Sequence, residues 1–293
     1  MSPTTPSTSV QDLPNEILAL TLTNFLAKEL IPIACTSRRF HSIVAETIRR
    51  RLLDAATLPG HELVFECYHP SARLTTPSLA CHFLGVKNLA PPTQSTDEPS
   101  LSSSLSLLDR QQYASLRPTI TEEERRTRRR RRNRRSSAEN DVVEEDDSVT
   151  EDIYLDEDEH FTQLCTKVHV SRLSPRQGYF LTHVNVFDGV IRLWRDSLAE
   201  LSSSPAGADG QGQRGTLIWA DTKRTVGVRL EVTPGGMERM PVLSSPDDLP
   251  PMSYKILYLE LLVPVSELLL AVEKSAIQEN SQTGKAIVIA FMN

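Results

Sequence analysis

The chain has 293 residues, 39% of them hydrophobic, which allows one large core or two small ones, but it is poor in aromatics (5%) and its 19 prolines imply frequent breaks. Its formal net charge of −6 is local: residues 92–160 hold 11 basic and 18 acidic side chains, and the remainder is nearly neutral. No CxxC pair joins Cys35, Cys67, Cys81 and Cys165, no charged and apolar leader opens the sequence, and Glu260, Pro264 and Glu267 interrupt its longest apolar run, so neither a disulfide scaffold, secretion nor a membrane span is expected.

In chain order, residues 1–11 are rich in Ser, Thr and Pro and are expected to be disordered. Leu13 to about Ala56 reads as helical: it has no glycine, and Pro14 and Pro32 each suit the first turn of a helix. On the first helix Leu13, Ile17 and Leu20 fall on one side, and Leu18, Leu22, Phe25 and Leu26 on another. Two apolar stripes on a short helix ask for two covers, and so small a module supplies one of them internally. The second asks for a partner. Phe40, Ile43, Val44 and Ile48 share a face of the third helix suited to packing on the first.

Short apolar runs at 63–69 and 79–86 predict strands. Residues 91–159 combine Ser, Arg and acidic runs with few aromatics, and the expectation there is a long disordered insert. Its arginine run holds Arg125, Arg126, Arg128, Arg129, Arg130, Arg131, Arg132, Arg134 and Arg135, followed by 12 acidic residues between Glu139 and Glu159. A nuclear import signal, a solvated polyelectrolyte linker and a nucleic-acid contact all fit such a run. The lack of interleaved aromatics speaks against stacking on single strands. Ser136 and Ser137 follow it, where phosphorylation would weaken its basic character.

Strands are predicted again at 161–173, 179–187, 215–222, 225–233 and 254–263, with a short helix at 190–201, a second helix at 264–276 and a closing strand at 285–293. A β-rich domain would thus join 60–90 to 160–293, as an antiparallel sandwich or, second, an α+β sheet.

Catalytic signatures are missing. There is no phosphate-binding GK loop, no GxSxG elbow and no HExxH. Gly210–Gly215 spells GxGxxG but precedes a strand, whereas a dinucleotide site needs a strand before the glycines and a helix after them. Cys67, His69, Cys81 and His82 have no zinc spacing, and Trp194 and Trp219 read as core or rim residues. Neither cofactor nor metal is expected.

The N-terminal segment resembles a known module. Leu13, Pro14 and Glu16 make a Leu-Pro-x-Glu start; Ile17, Leu18 and Leu22 follow, then Leu30, Ala34 and Cys35, then Arg38, Arg39 and Phe40, with Phe where a Trp is often found. This ordered series, over residues 12–56, resembles the F-box, a three-helix module that docks on the Skp adaptor of cullin–RING ubiquitin ligases. The resemblance implies an α+β multi-domain protein, a three-helix F-box followed by the β-rich domain with its disordered charged insert. It implies a non-catalytic, substrate-recruiting subunit, nuclear and/or cytoplasmic, partnered by the Skp adaptor and through it by cullin and RING subunits. It also implies that Leu13, Pro14, Ile17, Leu30 and Ile33 meet the adaptor, with Phe40 beside them, and that Arg38, Arg39 and Arg49–Arg51 face its acidic surface. An F-box scaffold outside the ligase and a nucleic-acid-associated protein using the arginine run are the alternatives.

Overall fold

Pro14, at φ −55° and ψ 151°, turns the chain into its first helix. The structure, a computed structural model, describes residues 10–73, 76–89, 112–121, 125, 149–156, 159–174, 180–203, 214–236 and 251–281. Three helices come first: α1 (Asn15–Leu22), α2 (Ala27–Ala34) and α3 (Arg38–Ala56). The starts of α2 and α3 have local side-chain acceptors. The Glu29 carboxylate accepts the Leu26 N–H at 2.9 Å ahead of α2, and Ser37 Oγ accepts the Phe40 N–H at 3.2 Å ahead of α3. Pro32 was expected in a first turn but lies in the last turn of α2. It is tolerated there because it forfeits only one intrahelical bond before the helix ends, with the Cys35 N–H on Pro32 O and the Thr36 N–H on Ile33 O.

Leu22, Leu30, Ala34 and Val44 form a small core between these helices, with Ile33, Phe40, Ile43 and Ile48 packed around it. The second half of α3 serves another purpose. Leu52, Ala55 and Ala56, with Ala27 of α2, belong to the large core of the sheet. One helix therefore spans both cores, and Ile48 touches each.

The rest is α+β, with a single antiparallel sheet. Its strands are β1 (His61–Tyr68), β2 (Leu79–Asn88), β3 (Gln112–Ile120), β4 (Val149–Leu155), β5 (Phe161–Leu173), β6 (Phe180–Trp194), β7 (Thr216–Trp219), β8 (Gly227–Pro234) and β9 (Met252–Pro264). They lie in the order β6-β5-β1-β2-β3-β9-β8-β7, and β4 also pairs with β9. Alternation dictates the buried face: Thr162, Leu164, Thr166, Val168 and Val170 of β5 all point inward. The sheet curls. β1 and β9 stand three strands apart, roughly 14 Å in a flat sheet, yet the Phe65 and Tyr258 rings meet edge-on at 5.8 Å. Two helices cover it: α4 (Arg195–Ser203) lies on β8 and β6, and α5 (Val265–Ser281) packs on β6, β5 and α3.

Several expectations are corrected. One curled sheet stands where two facing sheets were the first expectation, so the α+β alternative is the architecture found. Residues 91–159 are not wholly a disordered insert. They contain β3, which lies between β2 and β9, and β4. In β3, residues 113–116, Pro118 and Ile120 are buried, and in β4 Val149, Ile153 and Leu155 alternate inward. These runs are short and flanked by charge, so the composition of the surrounding window hid them. The helix expected at 190–201 begins only at Arg195. The segment before it continues β6 because Ile191 and Leu193 keep the alternation and pair with β5. The strand expected at 285–293 and the tail 1–9 lie outside the described residues.

Candidate functional site

Two surfaces stand out, one on the helices and one on the sheet. On α1 the two apolar stripes separate as their spacing requires. Leu18 and Leu22 are buried, whereas Ile17 is 44% and Leu20 64% exposed. On α2 Leu30 and Ala34 point inward and Ile31 is 50% exposed. Among the residues expected at a partner surface, Pro14, Ile17 and Arg38 are exposed and Leu13 is half-buried. Leu30 is 0% exposed, and Ile33 and Phe40 pack around the same small core. Leu30 builds the module's core, which corrects the expectation that it faces outward, while Ile33 and Phe40 are half-buried against that core, Phe40 on the face of the third helix expected to pack on the first. Leu20 and Ile31 are exposed instead. Both were readable as the outward partners of inward positions at helical spacing.

The basic residues divide similarly. Arg39 donates from Nε to Asn15 Oδ1 at 2.8 Å and from Nη2 to Leu13 O at 2.5 Å, so it fixes the segment entering α1. Arg51, expected to face a partner, turns inward. It donates to Phe25 O (2.7 Å), Leu22 O (3.2 Å) and Thr23 O (2.7 Å) and pairs with Glu273 of α5 at 3.1 Å. Both Glu273 carboxylate oxygens also accept the Ala27 N–H, at 3.1 and 3.0 Å, where α2 begins. One ion pair thus ties α1, α2 and α3 to α5. Of the arginine run, only Arg125 is described, its N–H on Thr121 O at 2.9 Å. Arg126, Arg128, Arg129, Arg130, Arg131, Arg132, Arg134 and Arg135 lie outside the described residues, as do Ser136 and Ser137.

The second surface arises from strand pairing. β9 is held along one edge by β8. Its other edge pairs with β4 up to Tyr258 and with β3 from Leu261 onward. β3 leaves β9 after Leu116, so the sheet forks, and a cleft of about 870 Å³ lies in the fork. Glu260 is buried at its base. Burial alone would raise this carboxyl, but hydrogen bonds from Lys87 and Ser115, the Lys87 charge and the Arg229 bond outweigh it and hold the group below the usual carboxylate range. The contacts are Lys87 Nζ at 2.5 Å, Arg229 Nε at 3.1 Å and the Ser115 hydroxyl. Arg229 Nη1 also donates to Gly215 O at 3.1 Å. Gly215 has φ +78°, and a Cβ there would lie 2.7 Å from the Leu230 carbonyl oxygen, so the last glycine of the GxGxxG lettering is required by a turn that supports this cleft. Arg214 is paired with Glu231 at 2.7 Å. Arg117 lines the cleft, exposed, with no ion pair among the described residues.

The other reactive side chains are sequestered or dispersed. Burial pushes the Cys67 thiol up to about 12 and the Cys81 thiol upward too, so neither is a ready nucleophile. His69 binds Ser71 through Nδ1 at 2.7 Å, and His82 is exposed beside the cleft. Among the described residues no three His, Cys, Asp or Glu side chains gather where a metal could sit, and no helix is long and apolar enough to cross a membrane. Trp194 is exposed against Phe161, while Trp219 is half-buried on Tyr113 with Arg224 over its ring.

Comparison with known protein families, with curated proteins and with solved structures finds no match for the chain.

Proposed function

We propose that the chain is a substrate-recruiting F-box subunit of a cullin–RING ubiquitin ligase, non-catalytic, which docks on a Skp adaptor through its N-terminal helices and presents the curled sheet to a protein substrate. The observation that carries this reading is the outward apolar stripe of Ile17 and Leu20 on α1, with Ile31 on α2, in a module whose inward stripe is already covered. Exposed apolar side chains on so small a unit mark a contact surface. The ordered motif from Leu13 to Phe40 supports the same reading, and names the partner class. The link from Arg51 to Glu273 supports it in another way: a recruiting subunit must hold its adaptor-binding end rigidly relative to its substrate-binding end.

The test is co-precipitation of the Skp adaptor and cullin with the full chain and with an Ile17→Ser, Leu20→Ser double variant. Truncating each desolvated anchor costs about 2 kcal/mol, so the double variant should bind the adaptor on the order of 1,000-fold more weakly. Both side chains are exposed, so the fold should remain intact. Equal recovery with the variant, or none with the unaltered chain, contradicts the reading. Adaptor recovered without cullin assigns a scaffold role outside the ligase.

A further inference from the structure

We draw no further inference here: the strongest candidate, the exposed surface patch on the β5–β6 hairpin where Trp194 meets Phe161 and Arg192 lies over the Phe161 ring, is an aromatic face with nothing in the structure to show what covers it.

Discussion

His169 of β5 is half-buried with its ring 4.3 Å from that of His183, which shares a hydrogen bond of 2.9 Å with Ser171. Burial, then the neighbouring His183 and Lys167, push His169 down to about 4, and Asp188 opposes this only in part. The folded-state value is therefore lower than that of the unfolded chain. Between pH 6.5 and about 4 the unfolded chain binds more protons, so stability falls as pH drops through that window and is fully present above it. His169→Gln should flatten the decline of the urea midpoint between pH 7 and pH 4.5. An unchanged slope would mean that His169 does not carry this part of the acid sensitivity. Nothing in the sequence announces this pair, because the two rings meet only through the register of β5 and β6.

At the scale of elements, the junction of helices and sheet depends on Arg51 and Glu273. Arg51 caps the carbonyls of Thr23 and Phe25 after α1 and adds a second donor to Leu22 O, which also accepts the Phe25 N–H. Arg51→Met keeps most of the stem's packing but removes the guanidinium, and leaves Glu273 with the Ala27 N–H alone among the described residues. Hydrogen bonds to charged groups that are mostly enclosed suggest a loss of about 2–3 kcal/mol, readable as a lower urea midpoint, with faster amide exchange across residues 15–25. Equal midpoints would show that the two cores hold together without this link. The three helices were legible in the sequence, since glycine is absent and the apolar spacing is helical. The link was not: Arg51 reads as part of a basic run, and Glu273 lies over 200 residues away. β1, β2 and β5 were legible as apolar alternation between breakers. The fork was illegible for the same reason as the link, because Lys87, Arg117, Arg229 and Glu260 come from four different strands.

Across the whole molecule, the polar segment between β2 and β5 is not one unit. A deletion of residues 91–159, which composition alone would permit, removes β3 from between β2 and β9 and should abolish cooperative folding. Replacing only residues 126–147, which lie outside the described residues, by a Gly/Ser linker of about ten residues should leave a folded chain with a single thermal transition. Folding of both deletions, or of neither, would contradict the placement of β3. The fold thus puts a helical module with an outward apolar stripe on a curled, forked sheet, joined by α3 and fastened at Arg51. Hydrogen–deuterium exchange of the purified full chain, with and without purified Skp adaptor, tests the proposed docking of the outward stripe on the adaptor. New protection should concentrate within residues 13–33, with the strands unchanged. Protection confined to the sheet, or none anywhere at saturating adaptor, would contradict that docking.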